Sequence, residues 1–317
     1  MTLQFISLLV KFNGGGEKNM YQTFKGAYPV IITPMNQKEE INWEGLKQNI
    51  EHFIQEGVAG LVVNGSTGEF VSLTKEERFK VVETAVEQIN GRIPLLVGTA
   101  AETTKEAIEY TKQAERAGAS GALLINSYYA HPKEEEIYEH FKAVAESVQF
   151  PIMIYNNPFT SGVDISTETI LRVGRDVENI THVKESSGDI RKVRDITRKG
   201  KGDIETFCGA DDLVLESFLV GATGWISVAG NAVPKLVTEL FDAVQNKELE
   251  KAWELYDKIL PLCSFIEESG KYVQIIKRVM DLKGQAGGPS RKPRLPLTEA
   301  EDQKLQEILE NLLTLQK

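Results

Sequence analysis

The stretch GALLINSYYAHPKEEEIYEHFKAVAESVQFPIMIYN, residues 121–156, decides the fold. It opens on a short apolar run, Gly121 to Asn126, crosses a helical pattern from about Lys133 to Val148, and closes on a second apolar run, Pro151 to Asn156. Near-continuous apolar runs of this length read as strands covered on both faces. A strand, a helix and a strand with short connections form the repeating unit of a parallel sheet.

The same unit recurs in both directions. Upstream, the runs Tyr28 to Thr33, Gly60 to Asn64 and Pro94 to Thr99 are each followed by an amphipathic helix pattern. Asn42 is placed to cap the first helix and Gly57 to close it, while Thr74 with Glu77 and Thr103 with Glu106 have capping-box spacing. Downstream come Ile180 to Glu185, Ile204 to Gly209 and Gly224 to Val228, with helices expected from about Ser166, Asp189 and Asp211. Eight strands, each followed by a helix, predict a (β/α)8 TIM barrel. A doubly wound open sheet would carry a Gly-rich turn after its first strand, and Thr33-Pro34-Met35 has no glycine. From Pro234 onward the pattern is helical, so a C-terminal helical appendage is expected, with no linker to separate it. The expected organisation is residues 1–25 as a flexible extension joined through Gly14, Gly15 and Gly16, 26–232 as the barrel, and 233–317 as the helical region. Met20 also offers a second possible start.

The formal net charge of -10 disfavours nucleic acid and anionic membrane surfaces as partners. The apolar stretch Phe5 to Val10 is short and lacks the basic start and cleavage site of a signal peptide, and no run approaches the roughly 20 residues that span a bilayer. Cys208, Cys263 and the four histidines have no metal-ligand spacing. A cytoplasmic, metal-free protein is expected.

Barrel active sites lie at the C-terminal ends of strands. Lys184 ends the sixth strand. An ammonium facing a barrel interior is poorly solvated, which frees the amine as a nucleophile toward carbonyls; the competing reading pairs it with Glu185. Gly65-Ser66-Thr67-Gly68-Glu69 follows the second strand, where two hydroxyls and backbone amides can hold a carboxylate, or simply turn the chain. Tyr155 ends the fifth strand and could relay protons or anchor a loop. Tyr128 and Tyr129 follow the fourth strand. Gly209-Ala210-Asp211-Asp212 could be no more than a helix cap, and His182 is given no role.

Together with Ile32-Thr33-Pro34 and Gly224-Trp225-Ile226-Ser227-Val228, these pieces resemble the dihydrodipicolinate synthase / N-acetylneuraminate lyase family, from about Gly26 to Arg294-Leu295-Pro296-Leu297. The resemblance implies a lyase in which Lys184 forms a Schiff base with pyruvate or a related 2-oxo acid and Tyr155 is the general acid/base. It implies that Ser66 relays protons, that Thr67 with Gly65 holds the carboxylate, that Gly209 and Ile226 line the pyruvate end, and that Tyr129 reaches a neighbouring subunit's relay. It also implies a homodimer or homotetramer with no cofactor. An iminium at C2 is an electron sink, so bonds at C3 form or break and groups beyond it can leave.

One position departs from the pattern. Thr160 stands where the synthases carry an arginine for the second substrate's carboxylate, and no arginine occurs between Arg116 and Arg172. Phe70, Lys75 and Glu102 likewise depart from the regulatory lysine site of some synthases. The resemblance therefore points first to aldol cleavage or condensation, dehydration or deamination of a small 2-oxo acid, as in members that handle sugar-derived acids or a hydroxyproline-derived pyrroline carboxylate. The alternative is a 4-hydroxy-tetrahydrodipicolinate synthase. Readings from other classes are a non-catalytic ligand-binding barrel, and a phosphate-handling isomerase, which would need a glycine cluster that Gly209 and Gly230 do not supply.

Overall fold

The computed structural model describes residues 21–314. Its eight strands are β1 (Gly26–Pro29), β2 (Leu61–Val63), β3 (Leu95–Gly98), β4 (Gly121–Ile125), β5 (Ile152–Asn156), β6 (Ile180–Glu185), β7 (Glu205–Cys208) and β8 (Gly224–Ser227). All pairings are parallel, in the order β1-β8-β7-β6-β5-β4-β3-β2. The ring closes through the Val30–Val62 bridge and the Ile31 amide, which donates to the Val62 carbonyl at 2.9 Å. This is a (β/α)8 barrel, as the repeat predicts.

The helices around and beyond it are α1 (Trp43–Gln55), α2 (Lys75–Ile89), α3 (Thr104–Ala117), α4 (Glu134–Ala145), α5 (Pro158–Ser161), α6 (Thr167–Asp176), α7 (Ile190–Lys199), α8 (Val214–Leu219), α9 (Pro234–Gln245), α10 (Leu249–Ser269), α11 (Tyr272–Leu282) and α12 (Glu299–Thr314). Asn42 caps α1 by accepting the Gly45 amide at 2.9 Å. Thr74 and Glu77 form a reciprocal capping box on α2, which satisfies two otherwise orphaned amides. The Thr103–Glu106 pair is only half of one: Thr103 accepts the Glu106 amide, but Glu106 takes the Thr103 hydroxyl rather than its backbone.

Strand alternation divides the core into two layers. Tyr28, Val30, Val62, Leu96, Leu123, Met153, Phe207 and Ile226 fill the barrel interior, and their strand neighbours face the helices. Lys184 and Tyr155 lie opposite each other in the β5–β6 register. The floor beneath them is packed by Phe24, His182 and Phe207. His182 is fully buried, and its Nε2 accepts the Phe24 amide at 3.2 Å. Burial lowers its pKa to about 4, so a neutral imidazole serves as a structural plug.

Most observed elements are a residue or more shorter than expected, and two differences bear on the barrel itself. Phe24, assigned to the N-terminal extension, is 1 % exposed and part of the barrel floor; residues 1–20 of that extension lie outside the described residues. β1 ends at Pro29 rather than Thr33, because the chain beyond Ile31 leaves the ladder and turns into the barrel mouth, where the Thr33 hydroxyl donates to the Gly68 carbonyl at 2.8 Å. No helix among the described residues is long and apolar enough to cross a membrane.

Candidate active site

At the C-terminal ends of the strands a cleft of about 510 Å³, counted with the solvent in its mouth, contains Lys184. Lys184 is 4 % exposed, and its Nζ lies 4.0 Å from the centre of the Tyr155 ring. The pairing with Glu185 does not form. Strand alternation turns Glu185 to the opposite face, where Oε2 accepts from Asn156 at 2.8 Å and Oε1 from the Ser187 amide at 2.7 Å. The lysine side chain is left facing the cleft without a carboxylate partner on its own strand.

Gly209 makes room for it. A Cβ there would lie 2.8 Å from the Lys184 Cγ and Cε and 2.0 Å from the Ser186 hydroxyl oxygen. Such contacts are closer than packed atoms tolerate, so the glycine is needed for the lysine's path across the end of β7.

The Tyr155 hydroxyl accepts from Asn157 Nδ2 at 2.8 Å. Asn157 is itself fixed by capping α5, its Oδ1 accepting the Thr160 amide at 3.2 Å. With its oxygen already held, the phenol can direct its proton into the cleft. Gly65, Ser66 and Thr67 line the same cleft. Their loop ends on Glu69, a non-glycine residue in the left-handed region at φ 59°. Glu69 is fully buried and faces Lys277 of α11 at 2.5 Å and Arg294 at 3.7 Å, and it accepts the Arg291 amide at 3.0 Å. An otherwise unfavourable backbone conformation is thus held by charge pairs from the C-terminal region.

The structure brings Lys184, Tyr155, Gly65, Ser66, Thr67, Gly209 and Thr160 into one cleft. Tyr129 and Ile226 do not line it. Tyr129 is 87 % exposed, with its amide donating to Glu102, whereas Ile226 is sealed in the barrel interior next to Ser227 and the cleft-lining Val228. Thr160 sits on the exposed rim, where its hydroxyl donates to the Asn157 carbonyl at 3.3 Å.

Three polar lining residues were not read from the sequence as site residues. Asn157 could have been found as an N-cap candidate before Pro158. Glu267 at the end of α10 and Tyr272 at the start of α11 carry no local signal, because they reach the mouth only when the appendage packs. Tyr272 lines the cleft with Ser66, and burial pushes its phenol up to about 12. Among the described residues no cluster of side chains could hold a metal ion.

The arrangement can bind a small carbonyl acid at an amine and move protons beside it. Comparison with known proteins agrees. The model of the dihydrodipicolinate synthetase family matches residues 23–312. The 4-hydroxy-tetrahydrodipicolinate synthase of Methanocaldococcus jannaschii is 37% identical over 292 residues, covering 92% of this chain and 98% of that one. That of Methanothrix thermoacetophila is 36% identical over 289 residues, covering 90% and 96%. Among solved structures, the chloride-inhibited dihydrodipicolinate synthase of Acinetobacter baumannii, complexed with pyruvate, superposes with a TM-score of 0.87 at 33% identity, covering 92% of this chain and 99% of that one. The 4-hydroxy-tetrahydrodipicolinate synthase of Methylacidiphilum fumariolicum gives 0.89 at 32%, covering 92% and 97%. The chain therefore belongs to the dihydrodipicolinate synthetase family and is a lyase of its Schiff-base class.

Proposed function

We propose that Lys184 forms a Schiff base with C2 of pyruvate or a related small 2-oxo acid, and that the enzyme makes or breaks a bond at C3 or expels a group beyond it. The observation that carries this reading is the lysine itself: buried in the cleft, turned away from Glu185 and placed against Tyr155. Ser66 and Thr67 with the Gly65 backbone receive the carboxylate, and Tyr155, held by Asn157, exchanges the proton. Tyr129, exposed on this chain, is offered to a neighbouring copy in a homodimer or homotetramer, where it completes the relay.

Two readings of the partner substrate remain. The names of the relatives favour 4-hydroxy-tetrahydrodipicolinate synthase, which adds aspartate semialdehyde to the pyruvate enamine. The rim of the cleft favours cleavage, dehydration or deamination of a longer 2-oxo acid. Thr160 cannot offer a bidentate cationic fork, and Lys184 is the one cation lining the cleft among the described residues. One assay separates them. The protein is supplied with pyruvate and aspartate semialdehyde and product is followed, beside a panel of hydroxylated 2-oxo acids followed by pyruvate or ammonia release. Efficient condensation establishes the synthase, and turnover of the panel without condensation establishes the catabolic lyase.

A further inference from the structure

Glu267 brings a second charge into the cleft that holds Lys184. Among the described residues the charged side chains lining that cleft are these two. Glu267 is the outlier: a carboxylate facing a site whose substrates are themselves carboxylates. Its Oε1 accepts the Asp211 amide at 3.0 Å, and its side chain lines the cleft. Asp211, fully buried, is held by three donors. Its carboxylate takes the Trp225 indole at 2.9 Å, the Val228 amide at 3.2 Å and the Ala229 amide at 2.6 Å. Two carboxyls thus stand one behind the other, near enough to Lys184 for their charges to act on it.

We propose that Glu267 is a specificity-determining residue for the reaction at Lys184, selecting a substrate that carries a hydrogen-bond donor, a hydroxyl or an ammonium, on the part of the molecule beyond C3. The inference rests on the Schiff-base reading. A carboxyl in a confined site rejects a substrate that leaves it unpaired, because its desolvation is then uncompensated, and it repels a second carboxylate. Burial and the negative charge of Asp211 raise its pKa toward neutrality, so it meets a hydroxyl either as acceptor or as donor. The competing role, a cap for the short turn at Asp211, needs only an oxygen acceptor at the Oε1 position, and glutamine supplies one.

The test uses the full-length enzyme and two matched pairs of probes. 4-Hydroxy-2-oxopentanoate and 2-oxopentanoate differ in a hydroxyl, and their borohydride trapping on Lys184 is compared at limiting concentration. Aspartate semialdehyde and succinate semialdehyde differ in an ammonium, and their condensation with pyruvate is compared. The donor-bearing member of at least one pair is preferred by about ten- to a hundredfold in the wild type. Glu267→Leu abolishes that preference. Glu267→Gln, which keeps the cap and the shape, retains a hydroxyl preference but loses an ammonium preference. A preference for the hydroxyl pair identifies a hydroxylated 2-oxo acid as substrate, and one for the ammonium pair an amino aldehyde. Equal handling within both pairs, or a preference that survives Glu267→Leu in a folded protein, overturns the inference. Pyruvate trapping on wild-type Lys184 is the reference: an adduct without any preference sinks this inference alone, and no adduct sinks the Schiff-base reading and the inference with it.

Discussion

Glu69 and Lys277 form a fully buried ion pair at 2.5 Å that ties the loop bearing Ser66 and Thr67 to helix α11. Lys277 also donates to the Pro289 carbonyl at 2.8 Å. The C-terminal region is therefore a wall of the active site. Helix α11 begins with Tyr272, which lines the cleft together with Ser66. Shifting the pair shifts both sides of the cleft together.

Removing one partner leaves the other charge stranded in the interior. Lys277→Met or Glu69→Gln is expected to destabilise the fold by roughly 3–5 kcal/mol, whereas replacing both costs less than the sum. Urea unfolding of the two single variants and the double variant measures this. Additive losses would show that the two residues act separately.

Gly209→Ala places a methyl against the Lys184 stem and the Ser186 hydroxyl. The barrel has many other contacts to hold it together, so the variant is expected to fold while trapping 2-oxo acids about 10²-fold more slowly, the cost typical of a displaced reacting group. Stopped trapping reactions analysed by mass spectrometry check it. Unchanged trapping would mean that Lys184 does not take the path seen across β7.

Thr160→Arg restores a cationic fork at the rim. If a second substrate's carboxylate docks there, kcat/KM for aspartate semialdehyde rises at least about tenfold, the worth of one charge-assisted pair of ~1.5 kcal/mol. Steady-state kinetics with pyruvate in excess report it. No gain in a folded variant would remove the rim from the account of substrate choice.

Two buried histidines make a contribution to stability that is lost as the solution is acidified below neutrality. Burial lowers both His140 and His182 to about 4 from a usual 6.5. Between those values the unfolded chain takes up protons that the folded imidazoles refuse, so the histidines' contribution to the unfolding free energy declines from about pH 6.5 down to 4, while Asp211 and Glu267, raised by burial to about 6 and about 7, contribute in the opposite sense. Below that window the two histidines add no further slope. In His140→Phe, the change in unfolding free energy from pH 7 to pH 5, measured by urea unfolding, should favour the folded state over that of the wild type by about 1–2 kcal/mol.

The parts of this molecule that were legible in the sequence are those whose cause is local. Apolar runs bounded by caps mark all eight strands, and a strand's end is a barrel's mouth, so Lys184, Tyr155, Ser66 and Thr67 could be named before any coordinates. Phe24 could not, because its burial depends on His182 across the barrel floor. Glu267 and Tyr272 were hidden for the same reason: each sits in an ordinary helical pattern and becomes part of the site only through tertiary packing. Tyr129 and Ile226, expected at the site by resemblance, lie outside this chain's own cleft, one on the surface and one in the core.

Borohydride trapping tests the central claim most directly. The protein is incubated with pyruvate, reduced and digested, beside a Lys184→Ala control whose folding is verified by its melting transition. A reduced pyruvate adduct on the peptide containing Lys184, absent from the control, is the predicted result. An adduct on another lysine, or none with pyruvate and longer 2-oxo acids, would contradict the account.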